Sequence, residues 1–329
     1  MAQSGRGDPE APLRRPEMKQ IGAPSPCAGT EETSMDPLLA AACLGAALCF
    51  SLGLVLAQFG LRSVPPLTGA CVSIPTTAAL FLAISPFSVD WAGWAAPGGG
   101  RAAAIFASAG LVYPVAVTLL TFWSGRRLGP HLTGALGNLA PLFAVLGAAL
   151  LLDERPSPAQ ALGLLAICAG VGALYLGRRG AGAGLGAPLW VWAAPLGAAL
   201  LRGAAQPWAG LGLRDWADPF AAATLGYLVS TIAVLAAGGL GGALGPAVRR
   251  AARDWPWFAA VGLANGAAVL LLYVALSMGP VSLVAPLVAC HPLITLALNR
   301  ILGGERGLPP GVALGVAATV AGAALLLAA

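Results

Sequence analysis

The sequence predicts an all-α integral membrane protein in which ten transmembrane helices form two inverted five-helix repeats. Three observations support this fold class. First, 58% of the 329 residues are hydrophobic and only 9% are charged, whereas a soluble domain carries about 25% charged residues. Second, the chain contains a series of long uncharged apolar runs. Third, sequence landmarks recur after about 150 residues.

This composition also excludes several classes of function. A soluble enzyme and a disulfide-rich secreted module would both need a more polar chain. The net charge of +5 does not indicate nucleic-acid binding, because the arginines lie in short loops between apolar runs, where basic residues orient a membrane protein. We therefore expect the lipid bilayer as the chain's surroundings and no nucleic-acid partner.

The charges concentrate ahead of the first apolar run. Six of the 13 acidic and four of the 18 basic residues lie within residues 1–36. Because the first 34 residues contain no apolar core segment, we expect a flexible polar tail here rather than a signal peptide. The strong bias towards Arg, Ala and Gly is typical of a GC-rich bacterial genome, so we expect a bacterial plasma membrane as the location.

Ten spans follow from the uncharged runs, since a helix needs about 20 residues to cross the hydrocarbon core of a bilayer. Trp255–Asn299 has no charge over 45 residues. As one helix it would be about 67 Å long, so it must break, and Met278-Gly279-Pro280 is the predicted break. One span near Pro188–Trp208 contains a single charge, Arg202. The remaining seven spans lie in Pro37–Leu61, Ser63–Val89, Ala102–Gly125, Leu128–Leu152, Pro156–Gly177, Pro219–Val248 and Gly307–Ala329.

An internal repeat divides these spans equally. Gly45-Ala46-Ala47-Leu48 recurs as Gly197-Ala198-Ala199-Leu200, and Gly60-Leu61-Arg62 recurs as Gly212-Leu213-Arg214, both at an offset of 152. The predicted organisation is repeat 1 over residues 37–177, a linker over 178–187 and repeat 2 over 188–329. Five spans per repeat is an odd number, so repeat 2 inserts upside down. Inverted repeats are typical of alternating-access transporters, which bind substrate near the midplane between the halves.

A more specific pattern occurs once in each repeat. Asp153-Glu154-Arg155-Pro156 precedes a Gly-rich helix, and Gly304-Glu305-Arg306 does the same at the repeat spacing. The apolar span before each turn has a central proline, at Pro141 and Pro292. This doubled pattern resembles the drug/metabolite transporter superfamily, specifically its ten-span EamA-type members. The resemblance implies a permease or exporter for a small-molecule substrate, often driven by a proton or by exchange. Glu154 and Glu305 fit a structural role near a helix start, where negative charge is favourable.

Arg202 is the strongest candidate for substrate binding. It precedes Arg214, which marks the end of its span, by about 18 Å of helix and so lies near the midplane. An arginine at that depth is unfavourable by a few kcal/mol and is a functional candidate by default. Gln206 shares its helix face. We expect both to face a central cavity and to bind a carboxylate or phosphate of an anionic or zwitterionic substrate. The alternative is an arginine that bonds to helix-end carbonyls or extends to the interface.

Five further residues are candidates for the cavity lining. His291, just before Pro292, titrates in the range that suits a coupling proton, although a packing role is the commoner one for a lone buried histidine. Asn138 and Asn265 are polar at depth, and Tyr273 and Trp123 occupy matched repeat positions at an offset of 150. For these four, helix–helix hydrogen bonding or packing is the alternative.

Two other functions are compatible with parts of this sequence pattern. A flippase for an anionic lipid intermediate would use the same fold and the same arginine. An intramembrane enzyme belongs to another class, but the sequence has no HExxH motif, no paired acids for metal-dependent diphosphate chemistry and no Gly-x-Ser-x-Gly motif. We therefore expect no catalytic residue, no metal site and no cofactor.

Overall fold

The computed structural model of the chain describes residues 36–60, 65–176, 188–242, 244–303 and 310–328. Over these ranges the chain is helical, and no residue in them forms a β-strand. Apart from Asp36, the predicted tail lies outside the described residues, and so does the predicted linker.

The described helices fall into two sets of six, one in each half of the chain. Three short elements join helices of the first half: a 3₁₀ turn at Trp91–Trp94, a π-helical segment at Leu111–Ala116, and a two-residue turn at 138–139. The helices of the first half are α1 (Pro37–Gly60), α2 (Pro66–Ser88), α3 (Gly99–Gly110), α4 (Val117–Gly137), α5 (Ala140–Leu151) and α6 (Pro158–Leu176). Those of the second half are α7 (Leu189–Asp215), α8 (Pro219–Leu240), α9 (Leu244–Met278), α10 (Val281–Val288), α11 (His291–Gly303) and α12 (Pro310–Ala328).

Six helical segments of the described chain are long and apolar enough to cross a membrane. They are Pro37–Leu56, Leu67–Ser88, Gly99–Thr121, Pro219–Leu240, Trp255–Met278 and Val281–Leu298. Three further apolar helices, Ala140–Leu151, Pro158–Ala173 and Gly311–Leu326, are shorter. Helix length alone therefore establishes fewer spans than the ten predicted, because several predicted spans are short or interrupted.

The interruptions occur at prolines, and they match between the repeats. The predicted break in the longest apolar run is observed, since α9 ends at Met278 and α10 begins after Pro280. The chain also breaks at residues 289–290, two residues before Pro292, and at residues 138–139, two residues before Pro141. These two breaks are 151 residues apart. Both were expected to be continuous spans, but a proline cannot donate the backbone hydrogen bond that a continuous helix requires.

Helix α4 contains a reversal of chain direction. The hydroxyl of Ser124 donates a hydrogen bond to Thr133 Oγ1 at 3.0 Å. In a straight helix, residues nine positions apart are separated by about 13.5 Å along the axis. The chain must therefore turn back between Ser124 and Thr133. One apolar segment ends in the first part of α4, and the next begins in its second part.

Two hydrogen bonds between helices occupy equivalent positions, one with its donor in the first half of the chain and one with its donor in the second half. The hydroxyl of Thr77 on α2 donates to the carbonyl of Gly262 on α9, and that of Ser230 on α8 donates to the carbonyl of Gly110 on α3, both at 2.6 Å. Gly110 and Gly262 are 152 residues apart, and Thr77 and Ser230 are 153 apart. Each glycine lies so close to the facing helix that a Cβ would overlap its backbone. The fold therefore has a two-repeat architecture in its atomic contacts as well as in its sequence.

A second pair of matched contacts positions α1 and α7 at the centre. Ser51 on α1 donates a hydrogen bond to the carbonyl of His291 at 2.7 Å. At the equivalent position on α7, Gly203 packs directly against the carbonyl of Ala140. Each contact lies beside one of the proline-associated breaks. The two helices are thus held against the broken segments of the opposite repeat.

Helices α6 and α12 pack against each other through glycines. A Cβ on Gly163 would meet the carbonyl of Gly322, and a Cβ on Gly170 would meet the carbonyl of Gly315. Small residues allow helices to approach closely in a membrane, where packing rather than hydrophobic burial drives association. Gly163 and Gly315 occupy equivalent positions of the two repeats, and so do Gly170 and Gly322. Exchanging the repeats therefore interchanges the two contacts.

Candidate functional site

A cavity of about 420 Å³ lies between the two repeats. Residues of α1, α2, α4, α5, α7, α8, α9, α10 and α11 line it, together with the π-helical segment. Six of the seven candidate residues from the sequence lie in this lining: Arg202, Gln206, His291, Asn138, Asn265 and Tyr273. The breaks at residues 138–139 and 289–290 also lie at its wall, so non-helical backbone occurs beside the cavity.

Arg202 is the one Asp, Glu, Lys or Arg side chain among the described lining residues. Its Nε is buried and has no hydrogen-bond partner among the described residues, and the same is true of Oε1 of Gln206. The guanidinium carbon lies 6.0 Å from the centre of the Tyr113 ring, at the outer limit of a cation–π contact. Two unpaired polar atoms therefore lie close together on one face of α7.

The local sequence of α7 explains how Arg202 reaches the cavity. Gly203, the next residue, faces α5 and allows the two helices to touch. Arg202 therefore projects from a different side of the helix, towards the cavity. Pro207, inside α7, cannot donate to the carbonyl of Gly203, which leaves an additional acceptor beside the arginine.

His291 lies at the start of α11, directly after the break. Its Nδ1 is 3.3 Å from the carbonyl of Val288, and its ring centre is 6.2 Å from that of Phe50. With the proton on Nδ1 donated to that carbonyl, Nε2 is the nitrogen that can accept a hydrogen bond. The backbone carbonyl of His291 accepts from Ser51 and from Thr295. The residue is thus fixed by three hydrogen bonds while its ring lines the cavity.

The two asparagines differ in whether their side-chain amide is hydrogen-bonded within the protein. Asn138 donates to the carbonyl of Cys168 at 3.4 Å, while Cys168 Sγ lies 3.7 Å from the carbonyl of Asn138. These two contacts of Asn138 therefore attach the break at residues 138–139 to α6. Asn265 on α9 extends towards Gly53 on α1, where a Cβ would collide with it. No hydrogen bond from Asn265 to another described residue is formed, so its amide faces the cavity.

The structure adds two tyrosines that sequence reasoning missed. Tyr113 lies in the π-helical segment, where its backbone is extended (φ −129°, ψ 125°) and a cis peptide bond joins it to Pro114. Tyr227 on α8 is 5% exposed. Both line the cavity with Tyr273. The chain has only four tyrosines, so a polar aromatic residue inside an apolar run was a signal that could have identified them.

Trp123 lies outside the cavity lining. Its ring centre is 5.6 Å from that of Trp190, and the guanidinium carbon of Arg127 lies 5.1 Å from one ring and 5.8 Å from the other. The side chain is 37% exposed. The reversal within α4 places Trp123 at the end of a helical segment, where amphipathic rings at a membrane interface are favoured.

The cavity extends towards one end of the helices and is closed at the other. Its lining reaches Gly69, Pro195 and Phe258, near the starts of the apolar parts of α2, α7 and α9. At the opposite end, which we call the closed end, contacts join residues of repeat 1 to residues of repeat 2. Both carboxylate oxygens of Glu154 accept hydrogen bonds, at 2.8 Å each, from the backbone N–H groups of Val281 and Ser282. Glu154 therefore caps α10, the helix of the other repeat, rather than its neighbour α6.

Other polar contacts reinforce the closed end. Arg214 at the end of α7 donates to the carbonyl of Leu152 at 2.9 Å. Arg101 on α3 forms a 2.9 Å ion pair with Asp215. The backbone N–H of Asp90 donates to Asp218 at 3.0 Å, and Asp218 also caps its own helix α8. The Arg214–Leu152, Arg101–Asp215 and Asp90–Asp218 contacts cross between the repeats, so the closed end cannot separate without breaking them.

Comparisons with known proteins agree with this architecture. A family model described as "EamA-like transporter family" matches residues 38–176 and 189–328, which confirms the resemblance seen in the sequence. A solved structure titled only "Crystal structure of protein" superimposes with a TM-score of 0.65 at 19% identity, over 87% of this chain and 95% of that one. At this identity the likeness concerns the fold. No curated protein matches the chain.

Proposed function

Because the chain belongs to the EamA-like transporter family, we propose that it is a secondary transporter that moves a small anionic or zwitterionic metabolite by alternating access. The observation that carries the choice of substrate is Arg202, a charged residue in the cavity between the repeats with an unpaired buried Nε. Membrane location follows from the family and the apolar helices. The composition supports a bacterial plasma membrane.

The proposed topology has ten spans, five in each repeat, with the second repeat inverted. The reversal within α4 supports a division of the α3–α5 region into two spans, and α10 with α11 forms the matching broken span in repeat 2. The contacts that recur with the repeats exchanged support the inverted relation. On this proposal residues 1–36 form a tail, residues 37–177 and 188–329 form the repeats, and residues 178–187 join them.

The energetics of Arg202 favour a bound anion. A charged side chain in the bilayer interior costs a few kcal/mol at least, and such residues usually pair with another charge or line a polar cavity. Among the described lining residues there is no carboxylate for Arg202 to pair with. A substrate carboxylate or phosphate would supply the missing charge and accept a hydrogen bond from Nε. His291, at the same cavity, is the proposed acceptor for a coupling proton.

Alternating access requires that the closed end open while the other end closes. The contacts at the closed end suit this role, because Glu154, Arg101 and Arg214 all pair with residues of the opposite repeat. Relative motion of the repeats would break these contacts together. The hydrogen bonds of Glu154 and Arg214 are charge-assisted and are worth about 1.5–3 kcal/mol each, whereas the exposed Arg101–Asp215 pair is worth about 1 kcal/mol or less. These contributions are small enough for a bound substrate to offset.

The test is thermal stabilisation of the purified protein by anionic, zwitterionic and cationic metabolites, followed by transport assays in vesicles. Ligand binding raises the apparent stability by mass action. We expect anions to stabilise the parent protein and the control variant Arg127→Gln, which removes an arginine outside the cavity lining, but not Arg202→Gln. Equal stabilisation of Arg202→Gln would refute the role of Arg202. Stabilisation by anionic lipids alone would favour a flippase, and a covalent product would favour an enzyme.

A further inference from the structure

Three tyrosines from different elements line the cavity that also contains Arg202. Tyr113 comes from the π-helical segment of repeat 1, and Tyr227 and Tyr273 come from α8 and α9 of repeat 2. The Tyr113 ring lies beside the guanidinium group, at 6.0 Å from its carbon. Tyr227 and Tyr273 come from neighbouring helices, since α8 packs against α9. One guanidinium group and three phenol groups therefore line the same cavity.

The three tyrosine hydroxyls do not contribute hydrogen bonds to the described fold. None of them donates a hydrogen bond to another described residue. The oxygens of these tyrosines are not among the fully buried side-chain atoms that lack a hydrogen-bond partner in the described chain, whereas Arg202 Nε and Gln206 Oε1 are. The hydroxyls are therefore accessible from the cavity, although the rest of Tyr227 and Tyr273 is at least nine-tenths buried. A tyrosine in apolar surroundings normally pairs its hydroxyl, so three unpaired ones point to a ligand.

The chemistry of these groups is that of an oxyanion receptor. Arginine has hydrogen-bond donors and no acceptor, and a phenol donates readily to a negatively charged oxygen. The described lining contains no Asp or Glu that could pair with an ammonium group. Transfer of an unpaired ammonium group from water into such a cavity is strongly unfavourable. Gln206 and Asn265 offer neutral amide oxygens, which do not balance a positive charge.

We propose that the hydroxyls of Tyr113, Tyr227 and Tyr273, together with Arg202, bind the oxyanion of the substrate, and that the site selects monoanions over zwitterions. This inference rests on the proposed transport function and narrows its substrate class from two to one. The substrate is then a carboxylate or a phosphodiester whose remaining part is uncharged. The three tyrosines determine specificity by donating to the anion, whereas Arg202 supplies the balancing charge.

The first test compares ligands that differ only in the charged amino group. L-phenyllactate is compared with L-phenylalanine, L-lactate with L-alanine, and glycerate with serine, by thermal stabilisation of the purified parent protein. We expect at least one hydroxy acid to bind at least tenfold more tightly than the matching amino acid. Dimethyl phosphate, a monoanion at neutral pH, is included to separate phosphate from carboxylate preference. Amino acids that bind as tightly as their hydroxy-acid partners, or no stabilisation by any hydroxy acid or by dimethyl phosphate, would overturn the proposal.

The second test removes each hydroxyl while it keeps the ring. Tyr113→Phe, Tyr227→Phe and Tyr273→Phe are each expected to weaken binding of the preferred monoanion about tenfold, the usual effect of losing a donor to a charged group. The control is Thr76→Val, which removes a hydroxyl that is bonded within its own helix and lies outside the lining. Unchanged affinity in all three tyrosine variants would overturn the proposal.

The outcomes separate this inference from the proposed function. If Arg202→Gln abolishes anion binding and the tyrosine variants do not weaken it, the tyrosine site is wrong and the transporter proposal stands. If vesicles containing the protein show no substrate flux at all, the transporter proposal itself fails. The thermal stability of each unliganded variant is measured first. If one variant does not fold, the other two and the comparison of matched ligands still decide the question.

Discussion

Replacing Glu154 by glutamine is expected to loosen the closed end of the cavity. Helix α10 has only eight residues, and Pro280 at its start offers no side-chain cap. The carboxylate of Glu154 supplies that cap from the other repeat through two hydrogen bonds of 2.8 Å. Glutamine keeps one acceptor oxygen but loses the other, together with the negative charge that favours a helix N-terminus.

The size of the effect follows from these two losses. A hydrogen bond to a charged group is worth about 1.5–3 kcal/mol, and a charge at a helix terminus adds about 0.3–1 kcal/mol. Because a glutamine can retain part of the first interaction, we expect a net loss of about 2 kcal/mol. At about 1.4 kcal/mol for each factor of ten, opening of the α10 N-terminus becomes roughly 30-fold more frequent.

Hydrogen–deuterium exchange measures this opening directly, because the two backbone N–H groups that Glu154 binds are themselves exchangeable. We expect the amides of Val281 and Ser282 to exchange roughly 30-fold faster in Glu154→Gln than in the parent protein. The control is Asp153→Asn, which removes the neighbouring exposed charge at a position with φ 57° that asparagine also adopts. Equal exchange in Glu154→Gln and the parent would refute the assignment of Glu154 as the cap of α10.

Two further predictions concern the packing of the repeats. Gly203→Ala places a methyl group against the backbone of α5 and should lower the unfolding free energy by about 1–3 kcal/mol. The control Gly197→Ala lies in a roomier position on the same helix and should be close to neutral. Thermal unfolding in detergent compares the two variants, and equal melting temperatures would contradict the close approach of α7 to α5. Ser230→Ala leaves the buried carbonyl of Gly110 without its 2.6 Å partner and should cost about 1–3 kcal/mol. Thr231→Ala, which removes a hydroxyl bonded within its own helix, should cost less, and the reverse order would show that the contact between helices is unimportant.

The sequence was most informative where a single residue departs from its surroundings. Arg202 was identifiable because one charge in an apolar run is conspicuous and energetically unfavourable. The break after Met278 was identifiable because the run was too long for one helix and contained Gly279-Pro280. The two-repeat organisation followed from landmarks that keep a nearly constant spacing. In each case the order of residues along the chain was sufficient, without knowledge of which segments meet in the folded structure.

Features that depend on which residues meet in the folded chain could not be predicted from the sequence in this way. Tyr113 and Tyr227 belong to different repeats, and an isolated aromatic residue in a membrane helix has packing as its ordinary role. Trp123 matched Tyr273 by spacing, but the chain reversal that follows it places the ring beside Trp190 instead of at the cavity. The partner of Glu154 is 127 residues away in sequence. Spacing identifies equivalent positions, but the local path of the backbone determines where each side chain points.

The glycine contact between α6 and α12 has a consequence for how the protein is made. Helix α6 completes repeat 1, yet the surface formed by Gly163 and Gly170 packs against the last described helix of the chain. During synthesis, domains generally fold from the N-terminus as they emerge, but this face of α6 stays uncovered until α12, made about 150 residues later, is in place. Helix α12 therefore completes the packing of both halves. A chain interrupted between α11 and α12 would leave the glycine backbone at Gly163 and Gly170 without the helix that covers it.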